Sequence, residues 1–192
     1  RKVNLTISKI VTGGDASEYA KSFKIKVTNT EGINLENVIV SNAVENSVSI
    51  SGSTIEFSIA GNSTVSIKDL PAGTYTVEEM NGENVVYQTS YKLDGKDVTN
   101  AEFKLASASD GHSVEITNTY PEKVEVSGSK RWVGVQEGTE KPSVKIELYR
   151  NNEKVDVQDL KADGTYSFTN LEKYDANGVE YVYTVKEVMS GD

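Results

Sequence analysis

Apolar and polar residues alternate along nearly the whole chain, in short runs broken by turn residues. "VNLTISKIV" from Val3, "SFKIKVTN" from Ser22, "STIEFSIAG" from Ser53 and "HSVEITNTY" from His112 each put every second residue on one face. A strand shows successive residues to opposite sides, so this pattern predicts half-buried strands. "NVIVSNAV" and "SVSISG" read as shorter strands. "STVSIKDLPAGTYTVEE" reads as strand, turn and strand, with the turn at Pro71 to Gly73. "TSYKLDGKDVT" has the form of a hairpin turning at Asp94-Gly95. The stretch from Ala101 to Ser109 fits either a short helix or a strand.

After Pro121 a new series begins. "EKVEVSGSKRW", "SVKIELYR", "VDVQDL", "TYSFTNL" and "EYVYTVKEV" are separated by the polar turns "NNEK" and "YDANG". A boundary near Tyr120 divides the chain into residues 1–120 and residues 121–192. The second unit has only about 70 residues, a small basis for an independent core. Many short strands with regular turn signals predict an all-β fold of sandwich or barrel type.

The units share a pattern. "SIKDLPAGTYTVEE" matches "SFTNLEKYDANGVEYVYTVKE" once a longer turn is allowed in the second, which implies two copies of one fold. Both copies end on a carboxylate in the apolar register. Tyr75, Val77 and Glu79 share a face, as do Tyr181, Tyr183, Val185 and Glu187. Both units also open on a lysine in that register. Lys9 follows Val3, Leu5 and Ile7; Lys130 follows Val124, Val126 and Gly128. In the last run of unit one, Asn118 shares the face of Val114 and Ile116. Lys9, Glu79 and Asn118 are therefore inward by pattern, each on a different strand. Burying a lone charge is costly. A buried salt bridge, or strand ends that have reached solvent, is the plain reading for any one of them. Three together, with two of the positions repeated in unit two, are harder to dismiss.

Composition narrows the choice. The net charge is −9 over 192 residues, with 36% hydrophobic residues and no cysteine. An acidic chain lacks the basic patch that a nucleic-acid backbone calls for. No apolar run is long enough to insert in a membrane. Disulfides and thiol catalysis are excluded. With neither a leader segment nor an initiating Met in view, the expectation is a mature piece or fragment of a longer protein. His112 stands beside Gly111 in an expected turn, so neither a catalytic dyad nor a histidine metal site is expected. "DGKD" and "DANG" lack an EF-hand pattern and read as turns. No cofactor is expected. No constellation for a turnover enzyme is present.

The motifs "VSGSKRW", "KPSVKIELYRNN" and "YSFTNLEKYDANGVEYVYTVKE" in unit two, with "LTISKIVTG", "DLPAGTYTVEE" and "VEITNTY" in unit one, resemble the B-type repeats of collagen-binding surface adhesins and related domains of Gram-positive pilins. The resemblance implies two tandem Ig-like β-sandwiches. It also implies an intramolecular isopeptide bond from a first-strand lysine to a last-strand asparagine, assisted by a glutamate. By matched motif these roles fall on Lys9, Asn118 and Glu79, and on Lys130 and Glu187 in unit two. There the acceptor is absent: Asn151, Asn152, Asn170 and Asn177 all precede Glu187, Asp192 is one acyl candidate, and the unit is expected to lack its last strand. Burial would lower the lysine pKa and expose a neutral amine. The glutamic acid would donate to the Asn118 amide oxygen and shuttle a proton to the departing ammonia.

The function implied is a structural module of a cell-surface adhesin or pilus stalk, self-crosslinking in a single turnover, outside the cell and anchored to the cell wall. Its partners would be neighbouring stalk domains or subunits, and a host extracellular protein. The rival is a ligand-binding sandwich for host protein or carbohydrate, for which Tyr19, Tyr87, Tyr91 and Tyr174 are the aromatic candidates. "YPEK" at Tyr120 to Lys123 faintly resembles the pilin motif whose lysine is joined by a sortase; an interdomain linker with a solvated lysine is the preferred reading. "LPAGT" at Leu70 to Thr74 reads as a turn, with Gly and Thr in the wrong order for a sorting signal.

Overall fold

The structure is a computed structural model and describes residues 2–14, 19–83 and 85–189. It is all-β, with no helix among the described residues, and hence none long and apolar enough to cross a membrane. Internal contacts separate two compact units, Arg1–Tyr120 and Pro121–Asp192.

Unit one contains eleven strands: β1 (Val3–Thr12), β2 (Ser22–Asn29), β3 (Ile39–Ser41), β4 (Ser49–Ser51), β5 (Thr54–Ala60), β6 (Thr64–Lys68), β7 (Gly73–Glu79), β8 (Gln88–Leu93), β9 (Lys96–Val98), β10 (Ala101–Leu105) and β11 (His112–Thr119). They form two sheets, in the orders β3-β6-β1-β11-β8-β9 and β10-β7-β2-β5-β4. The Ala101 stretch is thus strand through Leu105, with Ala101, Phe103 and Leu105 buried. Asp94 and Gly95 both have positive φ (49° and 81°) and close the β8–β9 hairpin, as a two-residue primed turn requires. The apolar phases meet inside: Leu5 and Ile7 from one sheet, Ile25, Phe57 and Tyr75 from the other, are all within 1% of full burial.

First and last strands lie side by side. β1 and β11 run parallel in mid-sheet, Val11 opposite Asn118 and Lys9 opposite Ile116. Parallel neighbours cannot be joined by a tight turn, so the rest of unit one is the connection between them. β7 occupies the facing sheet, where Glu79 pairs with Ile25 of β2.

Unit two contains β12 (Lys123–Ser129), β13 (Val144–Arg150), β14 (Glu153–Asp159), β15 (Thr165–Glu172) and β16 (Tyr183–Met189). Its sheets are β12-β15 and β14-β13-β16. The pairing copies that of unit one. β12 with β15 repeats β1 with β6, and β14-β13-β16 repeats β5-β2-β7. The register is retained too, since Glu187 lies opposite Ile146 of β13 as Glu79 lies opposite Ile25. Among the described residues no strand takes the place beside β12 that β11 holds beside β1. The core is correspondingly small, built on Val144, Ile146, Leu148 and Phe168.

Candidate functional site

Alternation delivers Lys9 to the core side of β1 two residues after Ile7, and Asn118 to the same side of β11 two residues after Ile116. β7 delivers Glu79 from the opposite sheet, two residues after Val77. All three are buried: Lys9 is 1% exposed, Glu79 7% and Asn118 0%.

One carboxylate holds both nitrogens. Lys9 Nζ donates to Glu79 Oε2 at 2.6 Å, and Asn118 Nδ2 donates to Glu79 Oε1 at 2.8 Å. On its other side the Lys9 ammonium sits over the Phe23 ring, 4.5 Å from its centroid. Burial pulls the Lys9 pKa below its ordinary 10.5, outweighing the opposing hydrogen bond and charge of Glu79. The Glu79 backbone N–H donates to the Tyr91 hydroxyl oxygen at 2.9 Å, which pins the carboxylate's own strand. Burial above all, then the nearby Glu79 charge, pushes Tyr87 up to about 12.

The geometry differs from the expectation at one bond. Glu79 does not meet the Asn118 amide oxygen; it accepts from the amide nitrogen. The oxygen accepts instead from Thr89, whose Oγ1 lies 2.8 Å from Asn118 Oδ1. The reason lies in charge: a carboxylate already accepting from an ammonium has only acceptor oxygens to offer, so the amide presents its N–H₂. Thr89 and the ring of Phe23 carry no sequence-based expectation, and Tyr91 carries one only as an aromatic candidate for a ligand face. The signal for two of them was present, since Thr89, Tyr91 and Leu93 alternate in "TSYKL" with the period of a half-buried strand.

In unit two Lys130 Nζ pairs with Glu187 Oε1 at 2.5 Å. Lys130 follows β12 and lies over the Trp132 ring at 4.5 Å. The side chains are 14% and 37% exposed, against 0% and 1% for Lys9 and Glu79. Glu187 shares a register with Glu79 but does not share its burial, because the second core is too thin to cover it. Asp192 lies outside the described residues. Lys123 opens β12 opposite Glu172.

Other candidates fall elsewhere. Tyr19, Tyr87 and Tyr91 pack against the core of unit one; Tyr174 is 41% exposed. The aromatic candidates for a ligand face are therefore mostly structural. His112 is not in a turn but opens β11. Its Nδ1 lies 2.6 Å from Asp94 Oδ2, and its Nε2 is occupied by the Lys104 carbonyl oxygen at 2.9 Å. Among the described residues no three acidic or histidine side chains are grouped to hold a metal.

Residues 3–120 match the family model described as "Domain of unknown function (DUF7601)", and residues 126–191 match the Cna protein B-type domain. No curated protein matches the chain. Among solved structures, the chain is similar to the major pilin protein (T3.2) of Streptococcus pyogenes, at 19% identity over 62% of this chain and 45% of that one, with TM-score 0.44. It is similar to the pilus-presented adhesin Spy0125 (Cpa), at 20% identity over 60% and 27%, with TM-score 0.42. It is also similar to two B repeat units of the collagen binding protein of Staphylococcus aureus, at 23% identity over 95% and 43%, with TM-score 0.35. The chain spans less than half the length of each of these structures.

Proposed function

We propose that this chain, which belongs to the DUF7601 family through residues 3–120 and carries a Cna protein B-type domain behind it, is a structural module of a bacterial surface adhesin or pilus stalk, with a first unit that locks itself by an amide bond from Lys9 Nζ to Asn118 Cγ. Neighbouring stalk domains or subunits would be its partners, outside the cell. The observation that carries the reading is the single buried carboxylate bridging the lysine nitrogen and the amide nitrogen. A salt bridge alone is a poor reason for such a group. Removing two charges from water costs several kcal/mol per ion, and the pair's attraction often fails to offset it. Asn118 adds a third polar group to the same dry site, with its nitrogen bonded to the carboxylate and its oxygen to Thr89.

The chemistry runs through Glu79. A proton passes from the Lys9 ammonium to Oε2, which the lowered lysine pKa favours. The neutral amine attacks Asn118 Cγ, and the carbonyl electron pair moves onto Oδ1. The carboxyl hands its proton to Nδ2 and takes one from the newly bonded Lys9 nitrogen. The Cγ–Nδ2 bond breaks, the carbonyl reforms, and ammonia leaves carrying the remaining proton as ammonium. One C–N bond is made and one broken, and the Glu79 carboxylate is restored. Folding substitutes for concentration, since β1, β7 and β11 hold all three groups together. Peptide mapping of the folded chain tests this. A branched peptide joining the Lys9 and Asn118 segments is expected, and separate unmodified peptides would refute it.

A further inference from the structure

Glu79 accounts for the protons, but it leaves the negative charge that develops on Asn118 Oδ1 without a partner. We infer that Thr89 is a second catalytic residue of this self-crosslinking, donating its hydroxyl hydrogen to Oδ1 as that oxygen becomes an oxyanion. The inference rests on the isopeptide reading above.

The placement comes from the register of β8 on β11, in which Thr89 lies directly opposite Asn118. Opposed residues of an antiparallel pair share a face, so the hydroxyl comes within 2.8 Å of Oδ1 without any loop having to close. The direction of the bond is set from behind. Tyr87 OH donates to Asn81 Oδ1 at 3.3 Å, and Asn81 Nδ2 donates to Thr89 Oγ1 at 3.1 Å. An amide N–H can only donate, so it takes a lone pair of Thr89 and leaves the single hydroxyl hydrogen for Asn118. Donors in such a row polarise one another. At the other end, the Asn118 nitrogen is committed to Glu79. Turned over, the amide would set its oxygen against a carboxylate oxygen and lose its bond to Glu79. The reacting carbon thus lies between a nitrogen aimed at the proton shuttle and an oxygen aimed at a donor. A donor aimed where charge develops strengthens as the intermediate forms.

Cross-strand threonines also have a purely structural use, and the substitutions separate the two. Thr89→Val keeps the branched shape and strand preference but removes the hydroxyl. Thr89→Ser keeps the hydroxyl and removes the methyl. The full chain is purified unfolded in denaturant, refolded by dilution and quenched at timed intervals. Intact mass gives the fraction that has lost ammonia, and far-ultraviolet circular dichroism follows folding in the same samples. Thr89→Val is expected to fold like the wild type and to link more slowly by about 100-fold, the usual cost of one oxyanion donor. Thr89→Ser is expected to stay within a few-fold of the wild type. Asn81→Ala, at an exposed position, supplies a second reading if Thr89→Val does not fold. It is expected to slow linking several-fold while folding is unchanged. Wild-type linking rates in the variants that fold would overturn the role of Thr89 and leave the isopeptide reading standing. A wild-type chain that folds and never loses ammonia would overturn both.

Discussion

Lys9 is the residue whose state decides the others. With its side chain at 0% exposure and its pKa lowered by burial, it lies beside the carboxylate that can take its proton. Two predictions belong at this scale. Glu79→Ala is expected to leave unit one folded but unlinked, whereas Glu78→Ala, on the exposed face of the same strand, is expected to link as the wild type does. Peptide mapping of both variants checks this, and a cross-link that survives Glu79→Ala would remove the carboxylate from the chemistry. The second concerns pH. In an Asn118→Ala variant, Lys9 remains a free amine with a folded pKa below its unfolded 10.5. Between those two values the unfolded chain binds more protons, so the variant gains stability as pH rises through that window. A wild type linked as proposed would have no such amine. Denaturant titrations at stepped pH are expected to show the gap between the two proteins narrowing towards pH 10.5; a constant gap would contradict a trapped lysine.

The inward phases of Lys9, Glu79 and Asn118 were legible because each sits at the end of an unbroken alternation. What each touches was not. Alternation assigns a face, but not which oxygen of Asn118 meets which strand. That depended on the β8–β11 register, which brought Thr89 to the oxygen and left Glu79 with the nitrogen. Asn4 escaped notice for a related reason. A register shift between Val3 and Leu5 in the β1–β6 pairing coincides with its turning inward. There its amide donates to the Ala108 and Asp110 carbonyl oxygens and accepts from Leu70 N–H. Glu187 shows the reverse failure. Its phase matches that of Glu79, but phase predicts burial only where a second layer exists to cover the face.

Among the elements, the end of unit one opposite the site is held by His112. Its ring joins the β8–β9 turn, through Asp94, to the end of β10, through the Lys104 carbonyl. Asp110, from the β10–β11 turn, lies 3.8 Å from Nε2. A carbonyl and a carboxylate both only accept, so the surroundings favour the protonated ring, which can donate from both nitrogens. Burial opposes that charge, but Asp94, the Lys104 carbonyl and Asp110 together outweigh it and raise the His112 pKa above 6.5. A raised folded pKa means that this stabilisation is complete below pH 6.5 and is lost as pH rises through the folded value. His112→Gln is expected to flatten the pH dependence of unit-one stability in that window, read from thermal midpoints at stepped pH. An unchanged slope would show that His112 is not its source. The same substitution is expected to leave cross-linking intact, since β1, β7 and β11 are positioned by their own ladders.

For the whole molecule, the position of the proposed bond matters more than its strength. It would join the first and last strands of unit one near the carboxyl ends of both. Tension entering at β1 would cross from Lys9 to Asn118 and leave through Tyr120, so the chain between those two residues carries no load. A bond closing a loop of about 110 residues contributes on the order of 4–5 kcal/mol if its effect is mainly on the unfolded chain. For a unit of this size that corresponds to a melting point higher by roughly 10–20 °C than that of Glu79→Ala. Differential scanning calorimetry of the pair measures it, and equal midpoints would exclude the link. Unit two, with its lysine and glutamate partly solvated and its small core, is expected to unfold first and to carry no link at Lys130. The most direct test of the central claim is the intact mass of the purified, folded chain. It is expected to be lighter than the sequence by one ammonia. A mass equal to that of the unmodified sequence would show that Lys9 and Asn118 remain separate side chains and that the buried carboxylate builds nothing.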